Sequence, residues 1–369
     1  MTEPELPGPF DLHHHGDVEA RGARLDFAVN VVPEVPPAFV LKAMRAALET
    51  VAAYPDEQPT RLLLAEHLGL DPDSLLLVNG VAEAFTLIAA LATWRTPLVV
   101  HPQFTEPEAA LRAAGHTPHR LVLSPSDGFE LTEQAVARLA ARGNGSAADL
   151  VMIGNPTNPT SRLHHPEVLR RLVAPGGRGR LLVIDEAFMD VVEHPGYSLL
   201  AEASSTPGLV VLRSLTKTFG LAGVRAGYVV GSPDLVRRLR ALQPPWSVNA
   251  IALAATRASA TEQGERYVEG VVRAMRDRRP HLVRGLTDRG WRVVPGSSGP
   301  FVLASHPQAE RLRRALRAEG VAVRRGDTFP GLDSTWVRFA LRDTAAIARL
   351  LAALDAVRGA VGDVVGGAH

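Results

Sequence analysis

The sequence predicts an α/β fold, a mostly parallel seven-stranded sheet flanked by helices, followed by a smaller α+β C-terminal domain. Three observations carry this reading. Apolar runs alternate with helical patterns through the first two thirds of the 369 residues. Several of those runs are nearly continuous Leu/Val/Ile, as expected for strands covered by helices on both faces. At Gln243-Pro244-Pro245-Trp246 a breaker ends that texture, and a long helical stretch and shorter strands come after it.

Taken in order, the strands of the larger sheet are expected at Leu75–Val78, Leu98–Val100, Arg120–Leu123, Leu150–Gly154, Leu181–Asp185, Leu209–Leu212 and Gly227–Val230. Helical patterns fall between them at Pro36–Val51, Ala82–Ala92, Glu106–Ala114, Thr132–Ala141 and Pro166–Val173. Beyond the breaker, one helix is expected from Val248 to about Arg278. Strands at Trp291–Val294, Phe301–Ala304, Val321–Arg324 and Trp336–Leu341 then alternate with helices at Gln308–Glu319 and Thr344–Val357. The chain thus divides into an N-terminal arm (1–35), a large domain (36–245) and a small domain (246–369), with a loose Gly-rich tail from Gly359.

Composition narrows the function classes. Hydrophobic residues make up 46% and charged residues 21%, an ordinary globular balance, and 40 Lys+Arg against 39 Asp+Glu give a net charge of +1. Nothing in that balance suggests nucleic acid or an anionic membrane. Cysteine is absent, so thiolate nucleophiles, disulfides and Cys-based zinc sites are excluded. No apolar run approaches the ~20 residues of a membrane span, and Met1–Phe10 is acidic and Pro-rich, unlike a secretory signal. A cytoplasmic protein is the expectation. Only two lysines occur, Lys42 and Lys217, so chemistry requiring a lysine amine has two candidates.

Four motifs stand at strand ends. Lys217 lies in Ser214-Leu215-Thr216-Lys217-Thr218, with Arg225 eight residues on. Hydroxyls, a lysine and an arginine after a buried strand suit a phosphate and an aldehyde, because lysine amines condense with carbonyls and a nearby cation activates them. Lys42 sits on an exposed-looking amphipathic helix. Asp185 ends an apolar strand, where open α/β sheets bind ligands, and a buried acid there needs a cationic partner. Asn155-Pro156-Thr157-Asn158-Pro159 forms a rigid turn that fixes the direction of an amide side chain. Gly80 precedes Val81 where a strand meets a helix, so the chain can approach a phosphate there. The blander readings are a solvated loop, a helix cap, a turn and a strand connection.

Together, in order and spacing, these motifs resemble the fold type I pyridoxal-phosphate enzymes of the aspartate aminotransferase superfamily, over Leu12 to about Val357. Within it the chain resembles the histidinol-phosphate aminotransferase group, and still more closely the threonine-phosphate decarboxylase branch of cobalamin biosynthesis. The closer likeness rests on His15-Gly16-Asp17, Leu25-Asp26-Phe27-Ala28-Val29-Asn30, Ala53-Tyr54-Pro55, His101-Pro102-Gln103-Phe104, Trp246-Ser247-Val248-Asn249 and Val323-Arg324-Arg325-Gly326-Asp327.

The resemblance implies pyridoxal 5'-phosphate bound to Lys217, with Asp185 on its pyridine nitrogen, Asn158 on its ring hydroxyl and Phe104 stacked on the ring. Gly80, Val81, Ser214, Thr216 and Arg225 would hold its phosphate. Tyr54 would reach that phosphate from a second subunit, implying a homodimer with shared active sites. Arg338 would grip a substrate carboxylate. Arg324, Arg342 and His15 are left for a distal phosphate, which favours L-threonine O-3-phosphate, decarboxylated to aminopropanol phosphate, over histidinol phosphate, whose lack of a carboxylate would leave one grip unused. Two departures stand out: Ser161 replaces the usual glycine after Asn-Pro-Thr, suggesting a strained or reshaped loop, and Phe188 replaces a tyrosine common among the aminotransferases. No metal is expected, since His13-His14-His15 has no partner at ligand spacing. The chain lacks the basic tail expected of a nucleic-acid binder, and it keeps Lys217, Asp185 and Arg225, one of which a catalytically dead scaffold should have lost.

Overall fold

The computed structural model describes residues 11–32, 35–141, 148–173 and 179–361. The Met1–Phe10 segment and the end of the Gly-rich tail lie outside them.

Seven strands build the larger sheet: β2 (Leu75–Val78), β3 (Pro97–His101), β4 (His119–Val122), β5 (Leu150–Gly154), β6 (Leu181–Asp185), β7 (Leu209–Ser214) and β8 (Gly227–Gly231). Their spatial order is β2-β8-β7-β6-β5-β3-β4, and β8 alone runs against the rest. Side chains of β2, β3 and β5 are buried along their whole length, which is why these strands read as unbroken apolar runs rather than alternating ones.

The smaller sheet joins β9 (Arg292–Val293), β10 (Phe301–Ser305), β11 (Val321–Arg325) and β12 (Trp336–Ala340) to β1 (Leu25–Phe27) in the order β1-β11-β12-β10-β9. β1 pairs parallel to β11, so the segment before residue 35 supplies a strand to this sheet. Three residues with Asp26 at their centre give no periodicity from which to expect it.

The expected single helix after the breaker is two, Ala250–Ser259 and Glu262–Thr287. Thr261 breaks the run with extended backbone, and its side chain caps the second helix by accepting from Gly264 N–H. A Cβ at residue 264 would lie 1.9 Å from the Ser259 carbonyl, so only glycine allows this corner. No helix among the described residues is long and apolar enough to cross a membrane.

Beyond β3, a buried ionic cluster fixes the chain from which Phe104 projects. Glu108 accepts hydrogen bonds from His101, Arg112 and Arg120 at 2.7–2.9 Å. Burial works against its charge, yet the bonds from His101 and Arg120 outweigh it and hold the carboxyl well below the usual carboxylate range.

Candidate active site

Because β2, β3, β5, β6 and β7 are mutually parallel, their C-terminal ends meet at one edge of the sheet, and antiparallel β8 begins there. The strand ends therefore bring six residues together: Val81 after β2, Phe104 after β3, Asn158 after β5, Asp185 at the end of β6, Lys217 after β7 and Arg225 before β8. All six line one pocket of about 480 Å³, which Arg324 and Arg338 of the smaller sheet and His15 of the N-terminal segment also line.

At its centre, Lys217 Nζ donates to Asn30 Oδ1 at 2.9 Å and lies 5.8 Å from the centroid of the Phe188 ring. Burial, reinforced by the charges of Arg338 and Arg225, pushes the amine down to about 8 against the opposing pull of Asp185. An amine at that value keeps a far larger neutral, nucleophilic fraction near physiological pH than an ordinary lysine does, although most of it is still protonated. Asp185 opens onto the pocket but is otherwise enclosed. Burial raises its carboxyl to about 6, although Ala187 N–H and Lys217 favour its charge. Lys42, the other lysine, is exposed on a helix away from the pocket.

The remaining groups test whether pyridoxal phosphate fits. Gly80 has φ +73°, and a Cβ there would lie 2.5 Å from Arg225 Nη2, so glycine leaves the guanidinium in place at the helix start. Arg225 itself has φ +64°, and among the described residues its guanidinium donates one long bond, 3.4 Å to the Ala222 carbonyl. Thr216 Oγ1 is buried and has no hydrogen-bond partner among the described residues, and Ser214 is buried beside it on the pocket wall. Unmatched hydroxyl and guanidinium donors suit a phosphate, an enclosed carboxyl suits a protonated ring nitrogen, and the apolar faces of Phe104 and Ala187 suit the ring. The residues present fit the cofactor.

On the opposite wall, Arg338 donates to Asn158 Oδ1 and to the Ala28 carbonyl, lies 5.0 Å from the Phe301 centroid, and keeps Nε buried without a hydrogen-bond partner among the described residues. Arg324 is its register partner across β11 and β12. It donates to the His14 carbonyl at 2.7 Å, lies over Phe329, and leaves Nη1 without a hydrogen-bond partner among the described residues. Burial lowers Arg324 to about 10, and burial together with Arg324 lowers Arg338. A guanidinium does not give up its proton in a protein, so both press for an anion. His15 stands at the pocket's rim with Nε2 2.6 Å from Glu106 Oε1 and its ring against Phe104.

Two expected site residues are not brought together with these. Arg342 does not line the pocket; it donates to the carbonyls of Asp26, Val29 and Val31, and so holds the N-terminal segment in place rather than facing a distal phosphate. Tyr54 is 76% exposed, stacked on Trp246 at 4.2 Å, and away from its own chain's pocket. Sequence reasoning gave no role to Asn30 or Glu106. Both act through partners distant in sequence, Lys217 and His15, and although Asn30 stands in one of the motifs of the resemblance, the motif does not show what it touches.

Of the two departures, Ser161 does adopt a left-handed backbone, φ +60°, and its hydroxyl accepts from Gly299 N–H at 2.6 Å. Phe188 packs edge-on against Phe301.

A family model for "Aminotransferase class I and II" matches residues 24–354. The chain belongs to the class I and II aminotransferase family. Within that family it is 41% identical over 332 residues to a histidinol-phosphate aminotransferase of Mycobacterium tuberculosis, covering 89% of this chain and 86% of the relative. It is 31% identical to a threonine-phosphate decarboxylase of Salmonella typhimurium, covering 89% and 90%. A crystal structure of a histidinol-phosphate aminotransferase from Clostridium acetobutylicum superposes with a TM-score of 0.81 at 26% identity, covering 90% of this chain and 98% of that one. As a member of this family the chain is an enzyme, and its cofactor is pyridoxal 5'-phosphate.

Asp185 makes the cofactor-free protein sensitive to pH. Its folded value of about 6 exceeds the 3.8 of an ordinary aspartate, so the group favours folding at low pH and that benefit is lost as pH rises through 6. In cofactor-stripped protein, Asp185→Asn should melt at higher temperature than the parent above about pH 6, the gap closing as pH falls towards 4. Scanning calorimetry across that range checks this; equal melting near pH 8 would contradict it.

Proposed function

We propose that the chain is an aminotransferase of the histidinol-phosphate type, moving an amino group between a phosphorylated amino compound and the pair 2-oxoglutarate and glutamate. The observation that carries this reading is the presence of two buried arginines, Arg324 and Arg338, opposite Lys217 in one pocket. An aminotransferase handles two substrates in turn at one site. Histidinol phosphate offers a phosphate; glutamate offers an α-carboxylate and a distal carboxylate. Arg324 can serve the distal anion of either, and Arg338 the α-carboxylate of glutamate, so no grip is left idle once both half-reactions are counted. The relatives at 41% identity carry the aminotransferase name, whereas the threonine-phosphate decarboxylases stand at 31% and 28%.

The residues divide the work. When bound, pyridoxal phosphate supplies a conjugated cation that accepts the electron pair of a bond broken at the substrate's α-carbon. Lys217 would hold the cofactor through Nζ, and the same amine would serve as the base for the α-proton. Asp185 would keep the pyridine nitrogen protonated. Asn158 spends Oδ1 on Arg338, which leaves Nδ2 to donate to the ring oxygen. Gly80, Val81, Ser214, Thr216 and Arg225 would hold the phosphate, Phe104 would lie against the ring, and His15 would assist Arg324 at the distal end.

Decarboxylation of L-threonine O-3-phosphate, which sequence similarity favoured, stays as a second reading because of Phe188. The wall beside Lys217 is a phenylalanine packed on Phe301, where aminotransferases commonly have a tyrosine hydroxyl, and phenylalanine is familiar in the decarboxylase branch.

Histidinol phosphate with 2-oxoglutarate should yield glutamate, and threonine phosphate without a keto acid should yield no carbon dioxide. Carbon dioxide without glutamate would install the second reading; neither product would overturn both. Assembly is proposed as a homodimer in which the exposed Tyr54 completes the partner's phosphate site. Tyr54→Phe, which removes one hydrogen bond, should weaken cofactor binding about fivefold, measured by equilibrium dialysis. A fully active monomer would contradict the shared site.

A further inference from the structure

The serine that replaces a glycine after the Asn-Pro-Thr turn has a job that the proposed function does not use. Ser161 is fully buried, and three hydrogen bonds run through it. Its N–H donates to the Thr157 carbonyl at 2.6 Å, its carbonyl accepts from Ser298 N–H at 2.9 Å, and its Oγ accepts from Gly299 N–H at 2.6 Å. The Oγ also fills the space that a Cβ at residue 299 would need, approaching it to 3.0 Å. The second and third bonds stitch the turn carrying Asn158 to the start of β10.

From there a closed circuit returns to the turn. Gly299 leads through Pro300 to Phe301, whose ring faces the Arg338 guanidinium at 5.0 Å. β10 pairs with β12 so that Leu303 stands opposite Arg338. Arg338 in turn donates to Asn158 Oδ1, three residues before Ser161. The two groups that must agree in position, the amide facing the cofactor and the guanidinium facing the substrate, thus sit on one hydrogen-bonded ring, and Ser161 closes it.

We propose that Ser161 is a positioning residue for Arg338: its hydroxyl locks the Asn158 turn to β10 and so fixes where the guanidinium meets a substrate α-carboxylate. The inference rests on the reading of Arg338 as the carboxylate grip. Arg279 holds the Ser298 and Gly299 carbonyls independently, at 3.1 and 3.2 Å, so removing the hydroxyl loosens the lock without releasing the loop.

Two substitutions separate positioning from stability. Ser161→Gly loses the hydroxyl but relieves a left-handed backbone that glycine adopts freely, so its melting temperature should stay close to the parent's. Ser161→Ala loses the hydroxyl, keeps the strained φ, and should melt lower. The probes are O-phospho-L-serine and O-phosphoethanolamine, which differ only by the α-carboxylate, titrated into cofactor-loaded protein and followed by the cofactor's absorbance. Both variants should bind phosphoserine about tenfold more weakly, leave phosphoethanolamine unchanged, and retain the cofactor as the parent does. If phosphoserine affinity instead follows melting temperature, with Ser161→Gly like the parent, the serine is merely structural and the proposal falls. An Arg338→Gln arm separates the two failures. If that variant loses preference for phosphoserine while the serine variants keep it, only the positioning role is wrong. A parent that does not distinguish the probes, by binding both or neither, removes the Arg338 reading and this inference with it.

Discussion

Parallel pairing of β5, β6 and β7 is the constraint on which the site depends. A strand can pair in parallel with its neighbour only if both end at the same edge, so the residues after Gly154, at Asp185 and after Ser214 are gathered there by hydrogen bonding alone. Register sharpens this: Gly154 stands opposite Asp185, and Asp185 opposite Leu212. The single reversed strand, β8, brings Arg225 to the same edge from the opposite chain direction, because Gly227 pairs with both Val78 and Ser214. The chemistry is thus placed by a largely apolar sheet, which contributes only the last residues of two strands, Asp185 of β6 and Ser214 of β7, to the pocket itself.

The same geometry costs electrostatic energy. Lys217, Arg225, Arg324 and Arg338 share one pocket with the carboxyl groups of Asp17, Glu106 and Asp185, and burial drives both the lysine and Asp185 towards neutrality. The smaller sheet adds to this strain and also controls it. Arg342 and Arg338 hold the carbonyls of residues 26 to 31, and Val32 N–H donates to the Lys217 carbonyl, so the N-terminal segment is clamped between the two sheets and delivers Asn30 to the lysine. A ligand with anionic groups at both ends and a cation on Asp185 would relieve each of these demands. That complementarity, rather than any single residue, is what makes the pocket a site.

The larger sheet was legible because both of its faces are covered, which turns each strand into an apolar run, and because glycine, proline and hydroxyl residues mark the strand ends. Lys217, Asp185, Asn158 and Arg225 stood out for that reason. Roles that depend on three-dimensional approach were not legible. Arg342 looks in sequence like Arg324, and only the path of residues 26 to 31 decides that it binds backbone. β1 is too short and too polar to show a period. The second helix break at Thr261 is a capping event masked by good helix formers on either side. The distinction between transamination and decarboxylation is finer again, since it turns on which α-carbon bond the pocket aligns with the cofactor ring, a matter of a few degrees at Arg338.

The claim under all of this is that Lys217 carries the cofactor. A chain with only two lysines makes the measurement unusually clean. Borohydride reduction of the cofactor-loaded protein, followed by proteolysis and mass mapping, should place one pyridoxyl group on the peptide containing Lys217 and none on that containing Lys42. A label on Lys42, or no covalent label on either, would contradict the account.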